Sequence, residues 1–289
     1  MVSLLSISSG GKKIELLKAA HIKTLVAQLL GICRKVVYYT PKQPAKDAQL
    51  ASEIRQAHTV HTAYGQKRMA LHLKVNHKRT ERVMQLFQLR APRGSDKHHY
   101  CTVSTSNHHY SNQIAQIPQA EVIPHHIWVC DTSYFKYQGR FWYLVTIMDR
   151  ATRQILAGWV GKHHNAALVL SCLKQAIMTA ECLPQYFHTD QGKEFMAQQV
   201  THYLELQGVT ISVSDKASPW QNGYQESFFG RFKEEFGDID RFATDGQLIE
   251  AIYERIHYYN YDRIHTAVKM PPAVYAQLIS ENVSQERGT

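Results

Sequence analysis

The amino-acid sequence predicts an α/β protein in which a helical N-terminal region precedes a mixed-sheet core. Three observations support this fold class. Apolar residues recur at helical spacing before residue 90, a polar stretch broken by proline and glycine follows at 91–124, and strand-like alternation begins near residue 126. Helical spacing puts apolar side chains on one face of a helix, whereas alternation puts them on one face of a sheet. At 289 residues the chain can hold a substantial core and a smaller domain.

Residues 1–40 are predicted to form a small helical, helix-turn-helix-like segment. Apolar residues at 14–29 recur every three to four positions, Gly31 provides a turn, and residues 32–39 continue the rhythm. Pro41 and Pro44 then break the pattern, so a linker is expected after them.

A second helical block, at 48–90, is predicted to be a helix-turn-helix-like DNA-binding region. Gly65 separates its first two helices, and Asn76 has the side chain expected of an N-cap for the third. The first turns of that third helix carry Lys78, Arg79 and Arg82, and cations at such a position can contact phosphate groups. A plain three-helix bundle is the alternative, but the cationic helix start favours DNA contact.

The polar connector at 91–124 is expected to be exposed. His98, His99 and Cys101, with His108 and His109, suggest a zinc site there. The usual spacing of a second ligand pair is missing, however, so we disfavour zinc binding in this connector.

The core is predicted to begin with three antiparallel strands, followed by alternating helices and strands that pack as one α/β sheet. A right-handed crossover through the first core helix would return the fourth strand parallel to the first. Strands are predicted at 126–137, 140–148, 153–160, 186–189 and 209–213, and helices at 165–180, 194–206, 220–236 and, as the last, 246–258.

Three acidic residues occupy positions suited to metal-dependent phosphoryl transfer. Asp131 lies within the first predicted strand, Asp190 directly follows the fourth, and Glu226 lies on the helix at 220–236. The two strands are predicted neighbours, and ligands of open α/β sheets collect at the carboxyl ends of strands, so we expect the three acids to meet. Carboxylate oxygens are the ligands that divalent cations such as Mg²⁺ prefer.

Other polar residues near these acids have separate predicted roles. Asn222 and Lys233 share the helical face of the glutamate, one turn before it and two turns after it, where they can position DNA. Arg231 lies off that face and is interpreted as a generic surface charge. Gly192 is expected to permit a sharp backbone turn. Asp149 ends a strand and is interpreted as a turn residue rather than as a fourth ligand.

The net charge of +9 is unevenly distributed along the chain. Residues 1–110 contain 18 Lys and Arg against 5 Asp and Glu, whereas residues 111–289 contain 15 against 19. This imbalance indicates a module that holds a polyanion beside one that acts on it, although a basic surface kept for solubility is an alternative.

The N-terminus lacks the features of a signal peptide and no apolar run is long enough to span a bilayer, so we expect a cytoplasmic, nucleoid-associated protein without a membrane partner. The five scattered cysteines are interpreted as reduced thiols.

Several motifs resemble those of one protein family, the OrfB-type DDE transposases of bacterial insertion sequences, which are relatives of retroviral integrases. The core motifs are His188-Thr189-Asp190-x-Gly192-x-Glu194-Phe195 and Ser218-Pro219-x-x-Asn222-x-x-x-Glu226-Ser227-Phe228-Phe229-x-x-x-Lys233. The tail Tyr258-Tyr259-Asn260-x-x-Arg263-x-His265-x-Ala267, followed by Pro271-Pro272-Ala273-Val274-Tyr275, is similar to the family's C-terminal signature. Tyr64-Gly65-x-x-Arg68 and Val75-Asn76-His77-Lys78-Arg79 resemble its helix-turn-helix segment. The resemblance covers about residues 50–275.

This resemblance implies a ribonuclease H-like, integrase-type catalytic core at 125–280, with C-terminal helices. It implies two bound Mg²⁺ ions, for which Mn²⁺ can substitute. Asp131, Asp190 and Glu226 would be the catalytic residues and metal ligands. The expected DNA contacts are Lys233, Asn222, Lys78, Arg79, Arg82 and Arg68.

The implied enzyme is a Mg²⁺-dependent polynucleotidyl transferase that nicks the ends of an insertion sequence and transfers the freed 3′-OH strand. Its expected partners are double-stranded DNA, as element ends and as target, and further copies of the chain bound to that DNA. The product of an upstream reading frame is a candidate partner or fusion. Two alternatives stay open at this point: a catalytically silent DNA-binding regulator derived from a transposase, and a metal-dependent nuclease that does not join strands.

Overall fold

The structure is a computed structural model that describes residues 23–31, 42–92, 110–118, 121–215 and 223–287, together with Glu15, Cys33 and Lys35 as single positions. Contacts divide the chain into two compact units, Met1–Glu53 and Ile54–Thr289. Four predictions concern positions outside the described residues: the first half of the helical rhythm at 14–29, most of the second helix of the N-terminal segment, the His and Cys residues of the connector, and Asn222. The expectation of an exposed connector is wrong for Ile114 and Val122, which are buried.

The first unit contains helix α1 (Lys23–Leu30), and helix α2 (Gln43–Val60) begins in it. Ala27 and Leu30 are the buried residues of α1. Gly31 follows with a φ of +64°, a left-handed conformation that glycine adopts without a steric penalty. The predicted turn at Gly31 is therefore confirmed.

The helical part of the second unit holds the end of α2, helix α3 (Gln66–His72) and helix α4 (His77–Leu86). The side chain of Asn76 accepts a hydrogen bond from the backbone N–H of Lys78 at 2.9 Å, so the predicted N-cap is confirmed. The buried Tyr64 accepts a hydrogen bond from the backbone N–H of Ile264 at 2.7 Å. This bond ties the helical part to the C-terminal segment of the chain, 200 residues away.

Five strands of the second unit form one mixed sheet, in the order β3-β2-β1-β4-β5. The first three strands pair antiparallel, whereas β4 pairs parallel with β1 and β5 pairs parallel with β4. The predicted return of the fourth strand parallel to the first is confirmed. The strands are β1 (Ile127–Tyr137), β2 (Arg140–Asp149), β3 (Ile155–Gly161), β4 (Tyr186–Thr189) and β5 (Thr210–Val213).

Helices cover both faces of this sheet. Strand β1 is therefore buried on both sides, and its residues alternate between two apolar clusters. Ile127 and Val129 belong to the cluster formed with α7 (Gly223–Phe236) and α8 (Asp245–Tyr261). Trp128 and Cys130 belong to the cluster formed with α5 (Ala166–Ala180) and α6 (Gln198–Leu206). This strand order, with helices on both faces, confirms the expected ribonuclease H-like α/β fold class.

Four predicted boundaries are wrong, each for a local reason. Helix α2 begins at Gln43 rather than near 48, so the linker expected after Pro44 is helical; Pro44 lies in the first turn, where a proline is tolerated. Helix α6 begins at Gln198 rather than at 194, because Phe195 and Met196 both donate backbone hydrogen bonds to Gly192 in a turn. Strand β3 begins at Ile155 rather than at 153, since Arg153 has a φ of +67° in the preceding turn. The helix at 246–258 is not the last: α9 (Pro272–Arg287) follows it, starting at a proline that suits a first helical position.

None of the helices in the described ranges combines the length and the apolar character needed to cross a membrane.

Candidate active site

The sheet places Asp131 and Asp190 at matching positions on neighbouring strands. Val129 of β1 pairs with His188 of β4 in parallel register, and each aspartate lies two residues further along its own chain. Side chains two residues apart point to the same face of a strand, so Asp131 lies on the face that packs against α7 and α8. Asp190 directly follows β4, at its carboxyl end.

Backbone N–H groups orient both aspartates. Thr132 donates to Asp131 Oδ1 at 2.7 Å, and Gly192 donates to Asp190 Oδ1 at 2.9 Å. Each Oδ2 accepts no hydrogen bond from the described residues. A Cβ atom on Gly192 would lie 2.7 Å from Glu194 Oε1, so glycine is required there by close packing and not by a left-handed φ.

Glu226 is exposed on α7, and its neighbour Gln225 fastens that helix to the sheet. Gln225 Nε2 donates to the backbone oxygens of Val129 at 2.7 Å and of Thr146 at 3.2 Å, and Gln225 Oε1 accepts from Thr146 Oγ1 at 3.0 Å. Thr146 is the register partner of Asp131 on β2. The same turn of α7 that presents Glu226 is therefore tied to the strand pair that presents Asp131.

Protons bind the three carboxylates more tightly than usual. Desolvation raises the pKa of Asp131 to about 8, and the negative charges of Asp190 and Glu226 add to the effect. Desolvation by the surrounding protein also raises the pKa of Asp190, which reaches the surface, and that of Glu226. Perturbed carboxylates of like charge at a strand end are typical of functional sites, where a bound cation would relieve their repulsion.

The donor chemistry of these acids fits a hard divalent cation such as Mg²⁺, because all three offer carboxylate oxygens. The charges of Asp190 and Glu226 both act on Asp131, so the three residues share one electrostatic environment. In the described parts of the chain, no three His, Cys, Asp or Glu side chains are grouped closely enough to hold a metal ion. The structure thus puts Asp131 and Asp190 on neighbouring strands and Glu226 on the helix beside them, without gathering the three acids into a closed ligand set.

Sequence reasoning missed two side chains beside the aspartates. Glu194 raises the pKa of Asp131 and of Asp190, and its Oε1 pairs with His164 Nε2 at 2.7 Å. The hydrogen bond to Glu194 raises the pKa of His164, whose ring stacks on Tyr143 at 4.8 Å between centroids. Glu194 could have been found from its place in the motif after Asp190, whereas nothing in the sequence singles out His164.

Buried His188 holds the end of β4 in place through two hydrogen bonds. Its Nδ1 bonds Ser212 Oγ at 2.9 Å, and its Nε2 bonds Ser214 Oγ at 3.0 Å. Burial lowers its pKa to about 4, so the ring is neutral at physiological pH. Two residues before Asp190, this histidine fastens β4 to the strand and turn next to it.

The structure places the predicted DNA contacts in different regions. Lys233 lies on α7 with its Nζ 5.1 Å from the ring centre of Tyr134, beside the second half of β1. Lys78, Arg79 and Arg82 lie on α4, and Arg68 lies on α3. Of the predicted DNA contacts in the described residues, only Lys233 is on the helix that carries Glu226; the other four cations are on α3 and α4.

Asp149 is a turn residue, as predicted. It is fully buried, and Oδ2 accepts from Thr152 Oγ1 at 2.6 Å and from the backbone N–H of Thr152 at 3.2 Å. The Arg231 side chain is about half exposed and pairs with Glu234 at 2.7 Å, as a surface charge would, and it also lines a cavity beside α7.

Two family models match the chain, and both are described as "Integrase core domain"; they cover residues 121–219 and 207–272. An "Uncharacterized transposase-like protein" of Haemophilus influenzae is 31% identical over 197 residues, which are 68% of this chain and 90% of that protein. The "Putative transposase InsK for insertion sequence element IS150" of Escherichia coli is 27% identical over 265 residues, 88% of this chain and 89% of its own. Among solved structures, the HTLV-2 integrase catalytic core domain in complex with magnesium is similar over 54% of this chain and 98% of its own, with 19% identity and a TM-score of 0.46.

Proposed function

The chain belongs to the insertion-sequence transposases with an integrase core domain, and from this membership we propose that it nicks the ends of its element and joins the freed 3′-OH strand to target DNA. Its function is in DNA transposition and integration. The observation that most supports the proposed chemistry is the placement of Asp131 and Asp190 side by side on parallel neighbouring strands. Glu226 lies on a helix that is hydrogen-bonded to the same strand pair.

Asp131, Asp190 and Glu226 would hold the divalent cations. When bound, two Mg²⁺ or Mn²⁺ ions would supply activation of a hydroxyl nucleophile and stabilisation of the leaving oxygen. Backbone N–H groups hold one oxygen of each aspartate, which orients the second oxygen for ligation. His164, whose pKa is raised by its hydrogen bond to Glu194, would when protonated limit the negative charge around these acids.

Cationic side chains would hold the DNA. Lys233 lies two helical turns from Glu226 on the same face of α7, where its Nζ can meet a phosphate near the carboxylates. Exposed Lys78 and Arg82, with the partly buried Arg79, would contact the element ends from the start of α4. Asn222 stays a proposed DNA contact outside the described residues. Binding of two element ends would require more than one copy of the chain, and an upstream-frame partner stays a proposal.

A catalytically silent regulator is not favoured, because the family comprises transposases and the chain carries acids at all three positions that the family resemblance assigns. The test uses oligonucleotide duplexes that carry an element end. Asp190→Asn and Glu226→Gln should each abolish Mg²⁺-dependent nicking and joining while DNA binding stays measurable.

Glu250→Gln is a matched control, since Glu250 is an exposed glutamate on α8. It should nick and join like the unmodified protein. Joining by either active-site variant at the rate of the control would overturn the assignment of these acids.

A further inference from the structure

A cavity of about 650 Å³ lies beside α7 in the second unit. Tyr224, Ser227 and Arg231 of α7 line it, and at about 100° per residue these three form one stripe along the helix. Glu226 and Lys233 form a different stripe. Helix α7 therefore separates the cavity from the side on which the carboxylates lie.

Five arginines from segments far apart in the sequence line this cavity, and none of the described lining residues is acidic. Arg68 comes from α3, Arg150 and Arg153 from the β2–β3 turn, Arg231 from α7, and Arg263 from the segment after α8. Such convergence on one space needs a reason, because like charges repel one another in a partly buried environment.

Two of the five charges are neutralised by acids outside the cavity. Arg263 Nη2 pairs with Glu235 Oε1 at 2.7 Å, and Arg231 Nη1 pairs with Glu234 Oε2 at 2.7 Å. For Arg68, Arg150 and Arg153, no salt bridge forms within the described ranges of the chain. The cavity therefore keeps an excess of positive charge.

Several guanidinium nitrogens of these three arginines are buried without a hydrogen-bond acceptor among the described residues: Arg68 Nε, Arg150 Nε and Nη1, and Arg153 Nη1. Arg153 is only 6% exposed, and its guanidinium lies 3.5 Å from the ring centre of Tyr224. Stacking on the tyrosine fixes the plane of that guanidinium. A buried, charged donor that lacks an acceptor is costly, so these groups are arranged for an anion that supplies acceptors.

The ionisation of the arginines agrees with this geometry. Desolvation lowers the pKa of Arg150, the electrostatic interaction and hydrogen bond with Tyr224 partly offset this, and the charge of Arg153 lowers it again. Desolvation and then the charge of Arg263 lower the pKa of Arg68. An anion in the cavity would offset both effects.

We propose that this cavity binds phosphate groups of a DNA strand that passes α7 on the side away from the carboxylates. Planar guanidinium forks suit the oxygens of a phosphate better than a single ammonium does, and the volume lies within the range of ligand pockets. The proposal rests on the proposed function, because a transposase must hold more DNA than the bond it cuts.

The position of the cavity also fits a strand that continues from the carboxylates. The backbone N–H of Arg150 donates to the oxygen of Ile127 at 2.9 Å, and Asp131 lies four residues further along β1. At about 3.3 Å per residue, Ile127 and Asp131 are about 13 Å apart along β1. A DNA strand rises about 3.4 Å per phosphate, so this stretch of β1 corresponds in length to a few nucleotides.

The test is the salt dependence of DNA affinity for the full chain, measured by fluorescence anisotropy with an element-end duplex. The double variant Arg150→Gln, Arg153→Gln should bind more weakly, and the slope of log K against log salt should fall by about 1.8, at about 0.9 per lost phosphate contact. Arg140→Gln, at an exposed arginine that begins β2, is the control and should keep the slope of the unmodified protein.

Arg153 is buried, so thermal unfolding of each variant is measured first. If the double variant does not fold, Arg68→Gln decides, because Arg68 is only partly buried, forms no salt bridge within the described ranges, and has an expected slope change of about 0.9. A folded variant with an unchanged slope would overturn the proposal.

Two further results would also overturn it. In both, the unmodified protein and the double variant have equal DNA slopes. If inorganic phosphate raises the melting temperature of the unmodified protein only, the cavity is a site for free phosphate; if poly-glutamate does so, it is a site for acidic peptide. Failure of the proposed function is a separate result, because it would appear as an absence of joining by the unmodified protein whatever the slopes are.

Discussion

Replacing Gln225 by leucine tests whether one buried amide holds the helix of Glu226 against the sheet. Gln225 is fully buried, and its side chain takes part in three hydrogen bonds of 2.7, 3.2 and 3.0 Å with Val129 and Thr146. Leucine is apolar and of similar size, so the substitution removes the bonds with little change in packing. It leaves the hydroxyl of Thr146 and two strand carbonyls with fewer partners in a buried place.

The expected loss of unfolding free energy is about 3 kcal/mol, at about 1 kcal/mol for each hydrogen bond. For a domain of this size that loss lowers the melting temperature by about 6–12 °C. Joining, measured at a temperature where the variant is folded, should fall about 100-fold, because Glu226 is displaced with its turn.

Gln175→Leu is the control, since Gln175 is exposed on α5 and hydrogen-bonds only to Thr179 among the described residues. It should change the unfolding free energy by less than about 0.5 kcal/mol. The double variant Gln225→Leu, Thr146→Val should recover part of the lost stability, because it leaves no buried hydroxyl unpaired. If Gln225→Leu matches the control in urea denaturation or in joining, the positioning role of Gln225 is refuted.

Two further predictions concern the aspartates and the turn beside them. The pKa of Asp131 is about 8 in the folded protein against 3.8 in the unfolded chain, so between these pH values the folded state binds more protons and its stability falls as the pH rises. Asp131→Asn should flatten that part of the profile in urea denaturation with a chelator present, and an unchanged slope would contradict the assigned cause. Gly192→Ala puts a Cβ atom 2.7 Å from Glu194 Oε1 and 2.9 Å from buried Phe195, so joining should fall at least about tenfold. Gly230→Ala, where a Cβ meets nothing within 4 Å, should join normally; equal activity of the two would exclude the steric argument.

Much of the core architecture could be predicted from local pattern. The strand at 186–189 has the predicted limits, and the helix predicted at 165–180 is α5 with Asn165 as its N-cap. Both elements are surrounded by core, so their apolar residues follow one period without interruption. The observed elements start later than predicted where a side chain is buried in the preceding turn. Helix α6 starts after the turn that buries Phe195, and β3 starts after the turn that contains buried Asp149.

The candidate site divides in the same way. Asp131, Asp190 and Glu226 could be proposed from the sequence because strand ends and helix faces are local properties. The roles of Gln225 and His164 could not, since each depends on a partner brought near by folding: Gln225 on Val129 and Thr146, and His164 on Glu194.

The sequence by itself determined the class of the fold, the order of its elements and the three acids, because periodicity and motif spacing are read along the chain. Only the tertiary structure decided which cations share a space. Arg68 and Arg231 have different predicted roles, yet both line the cavity that Arg150 and Arg153 also line. Charges from α3, a strand turn and α7 meet there because the packing of helices on a sheet joins segments that no local pattern connects.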